Sequence, residues 1–277
     1  MKMIALPSGE RVPALGQGTW NMGDRQAARA AELAALRLGL DTGLTLIDTA
    51  EMYGDGRSEE LVAEAIAGRR DEAFIVSKVL PQNASRLGTA AACERSLARL
   101  KTDRIDLYLL HWRGGVPLAE TLEALVKLQS AGKIRHYGVS NLDLADMNEL
   151  NTHRGGPGVA ANQVLYNLSR RGIEFDLLPW LRERKIPIMA YSPLEQARLL
   201  KNTALAVFAK RYGMTPAQAA LAWLLAQPEV IVIPKCSDTA RMQQNFGALD
   251  RPLSPAQLGE LDAAFPPPDG PRPLEML

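Results

Sequence analysis

Only two cysteines occur in 277 residues, Cys93 and Cys236, far apart and without metal-ligand spacing. Neither a disulfide framework nor a cysteine-based zinc site is therefore expected, and no metal is expected. Net charge is almost absent too: 32 Lys plus Arg face 31 Asp plus Glu, for a formal charge of +1. That balance removes the electrostatic motive for binding nucleic acid or an anionic membrane, although a local basic site could still hold one phosphate. No stretch approaches the ~20 apolar residues of a membrane span. The opening Met1-Lys2-Met3-Ile4-Ala5-Leu6-Pro7 is too short an apolar run for a signal peptide. A cytoplasmic chain is expected, with a monomer favoured.

Linkers and phosphate loops are missing as well. No Ser/Gly-rich segment or composition break divides the chain, so residues 1–277 read as a single domain. Gly16-Gln17-Gly18-Thr19-Trp20-Asn21 begins like G-x-G-x-x-G but carries Asn at the last glycine position, and no G-x-x-x-x-G-K-[ST] occurs. An open doubly wound sheet, which would need such a loop after its first strand, is disfavoured.

What is present is ordinary globular composition, 47% hydrophobic and 23% charged, which rules out a disordered chain. Short β-branched and aliphatic runs alternate with amphipathic ones from end to end. Strands are predicted at Leu44–Asp48, Ala73–Lys78, Ile105–His111, Ile134–Val139, Gly158–Gln163, Ile186–Tyr191 and Val230–Ile233, with Ala14–Thr19 a weaker first one. Thr215-Pro216-Ala217-Gln218 and Ser254-Pro255-Ala256-Gln257 each combine an N-cap, a proline at the first helical position and Gln three residues after the cap. Leu118–Ala131 and Ala90–Leu100 carry apolar residues at three- and four-residue steps. Eight strands alternating with helices predict an α/β fold, a closed (β/α)8 TIM barrel, and about 250 residues suffice for one. Lys2–Pro13 is predicted to form a hairpin before it, turning at Ser8-Gly9.

Catalytic residues of such barrels stand at the carboxyl ends of strands. Those ends carry Asp48, Lys78 and His111, and Tyr53 lies five residues beyond Asp48. Each alone has a plain explanation: a helix cap, a solvated lysine, a packing tyrosine. Four complementary ionisable groups on three adjacent strand ends are much harder to explain that way.

These residues resemble the aldo-keto reductase family. The likeness runs through Gly18-Thr19-Trp20, Asp48-Thr49-Ala50-Glu51-Met52-Tyr53, Ser77-Lys78, Leu110-His111-Trp112, Gly138-Val139-Ser140-Asn141, Asn162-Gln163, Ala190-Tyr191-Ser192-Pro193-Leu194 and Ile233-Pro234-Lys235. Within the family it is nearest to bacterial reductases of methylglyoxal and other small aldehydes. The resemblance implies NADPH as hydride donor and Tyr53 as proton donor. Lys78 would favour the phenolate and lower a tyrosine pKa that is ordinarily about 10, while Asp48 holds Lys78 in place. His111 would hydrogen-bond the substrate carbonyl and share in stabilising the oxyanion.

For the cofactor, the resemblance implies that Asn141 and Gln163 meet the nicotinamide carboxamide, with Ser140 beside them, and that Tyr191 stacks on its ring. Ser192 and Leu194 would approach the pyrophosphate, with Gly18, Thr19, Trp20 and Asp48 bordering the same site. Lys235 and Arg241 match the pair for the adenosine 2′-phosphate, flanked by Cys236 and Ser237, and Gln244 and Asn245 match adenine contacts. Two departures soften the NADPH preference: Cys236 stands for the usual Ser, and Gln244 for a common Glu.

Trp20, Met52, His111 and Trp112 are expected at the substrate mouth. Only Arg113-Gly114-Gly115-Val116 separate Trp112 from Pro117, the segment after Tyr191 is short, and the tail from Pro266 is stiff and ends soon after. A shallow, open pocket for small carbonyls is therefore expected. Two other readings stay open: a barrel aldolase using Lys78 as Schiff-base nucleophile, and a non-catalytic NADPH-binding regulatory barrel.

Overall fold

The computed structural model describes residues 1–277. The chain starts with an antiparallel hairpin, β1 (Met3–Ala5) and β2 (Arg11–Pro13), which turns through Gly9 at φ +88°. Then follow β3 (Gln17–Gly18), α1 (Gln26–Asp41), β4 (Leu46–Asp48), α2 (Arg57–Ala65), β5 (Phe74–Val79), α3 (Arg86–Leu100), β6 (Ile105–Leu110) and α4 (Leu118–Ser130). The second half runs β7 (Ile134–Ser140), α5 (Leu144–Thr152), β8 (Asn162–Leu165), α6 (Leu177–Glu183), β9 (Ile188–Tyr191), α7 (Thr203–Arg211), α8 (Pro216–Ala226), β10 (Val230–Val232), α9 (Thr239–Phe246) and α10 (Pro255–Ala264).

Strands β3 to β10 pair parallel in sequence order. Parallel bridges Leu15–Val232 and Gly18–Lys235 join the first strand to the last, so the sheet curls into the expected (β/α)8 barrel. Every residue of β5 and β6 is buried, which explains their near-continuous apolar sequence: interior side chains fill one face and helices cover the other. Both proline-led helix starts form complete capping boxes. Thr215 Oγ1 accepts from Gln218 N at 3.2 Å while Gln218 Oε1 accepts from Thr215 N at 3.0 Å, and Ser254 with Gln257 repeats the pattern.

Strand limits differ most at β8, expected from Gly158 but starting at Asn162. Gly155 sits at φ +90°, and Gly156-Pro157-Gly158 forms a 3₁₀ turn, since Pro157 has no N–H to give a ladder. The hairpin lies at the opposite end from the site: its Glu10 pairs with Arg135 and His136 at the start of β7.

Candidate active site

Three strand ends bring the predicted ionisable groups together. β4 ends on Asp48, Lys78 is the penultimate residue of β5, and His111 directly follows β6. The Lys78 side chain is fully buried and Asp48 is 3% exposed, with Nζ 2.9 Å from the carboxylate. An ammonium has three donors, and all are used here. They go to Asp48, to the carbonyl oxygen of Thr49 at 2.8 Å and to the Tyr53 hydroxyl oxygen at 3.1 Å. Because Lys78 donates to that oxygen, the phenol's own hydrogen must point elsewhere.

Burial is the strongest influence on Lys78 and pulls its pKa down. Asp48 and Tyr53 together outweigh it, so the pKa is raised and the amine stays charged. Lys78 also pulls Tyr53 downward as the sequence suggested, but the net shift is the reverse of the expectation. Burial dominates and the Asp48 charge adds to it, so the Tyr53 pKa lies above its ordinary value and the phenol stays neutral. His111 is buried and neutral, its pKa pushed down to about 2 by burial and by the Lys78 charge. Its Nδ1 is buried without a hydrogen-bond partner. A proton there would be an unpaired buried donor, so the Nε2–H tautomer is favoured. The Tyr53 and His111 rings meet edge to face, 5.8 Å apart at 75°.

The loop that carries Tyr53 is held from several sides. Tyr53–Gly56 is a 3₁₀ turn with positive φ at Gly54, Asp55 and Gly56. A Cβ on Gly56 would lie 2.3 Å from the Arg99 side chain, which pairs with buried Glu59 at 2.6 Å. Glu51, two residues before Tyr53, accepts from Leu80 N at 2.8 Å and Asn83 Nδ2 at 2.9 Å, tying the loop to the exit of β5. Thr19 Oγ1 bonds the Asp48 carbonyl at 2.9 Å and accepts from Ser58 at 2.7 Å. Glu51, Ser58 and Glu59 received no role from the sequence. Glu51 lies in the loop, whereas Ser58 and Glu59 are buried in the first turn of α2.

The residues proposed to meet nicotinamide form one connected group. Gln163 Nε2 donates to Asp48 at 2.8 Å, and Ser140 Oγ donates to the Gln163 carbonyl at 2.8 Å. Asn141, at φ +56°, donates to the His111 carbonyl at 3.1 Å and accepts from the Tyr191 hydroxyl at 3.0 Å. Ser192 and Leu194 follow β9, and Ser192 is also left-handed at φ +46°. Gly18 bridges to Lys235, and both Lys235 and Arg241 are exposed cations flanking the start of α9. Ser237 is half-buried, Gln244 exposed and Asn245 buried. Cys236 is buried, its Sγ bonded to the Asp238 carbonyl at 3.0 Å, so its side chain faces the protein. A flat ring, an amide pair and two exposed cations suit a dinucleotide bearing a 2′-phosphate.

At the mouth Trp20 is 44% and Met52 46% exposed, and Trp112 packs on His111 with ring centroids 4.8 Å apart. The opposite side is more built than expected. After β9 come two 3₁₀ turns, with positive φ at Glu195, Gln196 and Ala197. Buried Glu195 accepts from Asn167 at 2.9 Å and from Arg170 at 2.8 Å, and Arg170 also pairs with Glu275 of the tail. The Leu277 backbone reaches the Tyr191 hydroxyl, opposing the burial that raises the Tyr191 pKa to about 12. The tail therefore returns over the barrel instead of leaving that side bare.

Fold and side chains together define a (β/α)8 barrel with ionisable groups gathered at the carboxyl ends of its strands. Residues 14–265 match the aldo/keto reductase family. The chain is 50% identical to the methylglyoxal reductase YeaE of Escherichia coli, over 100% of this chain and 99% of that one. It is 33% identical to a glyoxal reductase of Bacillus subtilis, over 94% and 91% of the two chains. A crystal structure of an aldo/keto reductase from Klebsiella pneumoniae in complex with NADP and acetate superposes with a TM-score of 0.97 at 49% identity, covering 100% and 99%. The chain belongs to the aldo/keto reductase family. It is accordingly an NAD(P)H-dependent oxidoreductase, with NADPH as its cofactor.

Proposed function

We propose that this enzyme reduces small activated carbonyls of the methylglyoxal kind, with Tyr53 as proton donor. The observation that carries the reading is the Lys78 ammonium, which spends its third N–H on the Tyr53 oxygen while Tyr53 remains protonated. NADPH, when bound, supplies the hydride. Tyr53 holds a proton at its hydroxyl and gives it to the oxygen that gains negative charge. Lys78 then stabilises the phenolate left behind. Asp48 fixes Lys78, and through Gln163 it ties that pair to the strand ends that carry Asn141 and Tyr191. His111, neutral with Nε2–H, orients the carbonyl by donating a hydrogen bond. Lys235 and Arg241 hold the adenosine 2′-phosphate, and Tyr191 offers its ring to the nicotinamide.

A Schiff-base aldolase would need Lys78 as a neutral amine, whereas its neighbours keep it charged. A regulatory barrel without turnover is disfavoured by the complete Asp48, Tyr53, Lys78 and His111 set. The substrate class follows from the mouth. Exposed Trp20 and Met52 offer apolar surface and few hydroxyl partners, so reactivity at the carbonyl itself must carry the selection. The relatives named for methylglyoxal and glyoxal agree with that choice. NADPH oxidation across a carbonyl panel tests it: methylglyoxal and electron-poor aromatic aldehydes should give the highest kcat/KM, and aldose sugars should be poor. Glucose or a steroid ketone outperforming methylglyoxal would refute the assignment.

A further inference from the structure

The segment expected to meet the 2′-phosphate contains its own anion. From Pro234 to Phe246 the charged residues are Lys235, Arg241 and Asp238. Asp238 is the N-cap of α9: one carboxylate oxygen accepts from Arg241 N at 2.9 Å, and the other lies 3.3 Å from Arg241 Nε. The carboxylate therefore takes a backbone donor at the helix start and part of the guanidinium fork at once. Those are donors that a phosphate would use, because a helix N-terminus and an arginine both favour negative charge. Asp238 remains 40% exposed and the Arg241 side chain 73% exposed, so the pair stands at the surface where a ligand would arrive. Lys235 makes no ion pair, and Cys236 is turned inward, contributing no hydroxyl.

We propose that Asp238 is a specificity-determining residue, an internal competitor for the adenosine 2′-phosphate that loosens NADPH and narrows its advantage over NADH. The inference rests on the reading of Lys235 and Arg241 as the phosphate pair. A phosphate monoester carries about −1.5 to −2 charges at neutral pH, so it both competes with the carboxylate for Arg241 and is repelled by it. NADH carries only a neutral 2′-hydroxyl at that position, so it presents no charge for Asp238 to repel and does not compete for the Arg241 guanidinium. Asp238 also stabilises α9 as its cap, which separates two roles that substitution can divide: asparagine and serine keep a capping acceptor and remove the charge.

Calorimetric titration of the purified enzyme with NADPH and with NADH tests this without turnover. Asp238→Asn and Asp238→Ser should each bind NADPH about five- to tenfold more tightly, with NADH within about twofold of wild type, as expected for removing one nearby charge at the surface. Arg241→Ala should weaken NADPH at least about tenfold and spare NADH, as loss of a charge-assisted contact requires. If both neutral variants leave NADPH within twofold while Arg241→Ala weakens it, the role of Asp238 is overturned and the phosphate pair stands. Equal tightening of NADH also overturns it. If Arg241→Ala leaves the NADPH-to-NADH ratio unchanged, the phosphate reading itself falls.

Discussion

Asp48→Asn keeps the shape of a side chain at the centre of the site and removes its charge. Asp48 now accepts from Lys78 at 2.9 Å and from Gln163 at 2.8 Å. The asparagine amide would have to aim an NH2 at one of two donors. Lys78 would lose its only carboxylate while remaining fully buried. Removing one partner of a buried pair costs about 3–5 kcal/mol, which for a chain of this size lowers Tm by roughly 6–15 °C. The pH dependence identifies the cause. In the wild type the Lys78 pKa is raised, so its stabilising contribution is complete below the unfolded value near 10.4 and is lost as pH rises through the folded pKa. In the variant only Tyr53 still opposes burial, and the pKa falls below the unfolded value. The penalty is then present at neutral pH and shrinks as pH rises and Lys78 sheds its proton. Thermal unfolding of both proteins between pH 7 and pH 10 should show a gap that narrows. A variant melting within 2 °C of wild type at pH 7, or a gap independent of pH, would refute the argument.

Two further outcomes follow from the site. His111 is held neutral with its pKa near 2, so kcat for reduction should show no inflection attributable to it between pH 5 and 8, and a His111-dependent step near pH 6.5 would contradict this. Trp20→Ala removes an exposed apolar wall and should raise KM for aromatic aldehydes several-fold while leaving methylglyoxal nearly unchanged; equal losses for both would show that Trp20 acts on the loop and not on the ligand.

The barrel was legible because strand and helix periods alternate clearly and because proline-led caps such as Thr215-Pro216 announce helix starts with a specific hydrogen-bond pattern. Asp48, Tyr53, Lys78 and His111 were legible because strand ends in a barrel converge, so residues far apart in sequence could be placed together. Sequence could not supply the balance of forces at Tyr53. Lys78 was visible as a cation, but the burial that outweighs it depends on how the Tyr53–Gly56 turn packs. Glu51 and Glu59 were equally hidden, since an acidic residue in a loop or in a helix's first turn looks solvated until its partners Leu80, Asn83, Arg99 and Ser77 arrive from other elements. The tail illustrates the same limit: the link from Glu275 through Arg170 to Glu195 spans segments with no pattern in common.

The most direct test of the central claim is Tyr53→Phe, which keeps the ring and removes only the hydroxyl. Steady-state reduction of methylglyoxal and NADPH binding are measured on the same preparation. The account predicts that kcat falls by ~10²–10⁴, as expected for loss of a general acid, with NADPH affinity unchanged because Tyr53 serves the carbonyl. Near-normal turnover in this variant would contradict the account and remove Tyr53 from the proton transfer.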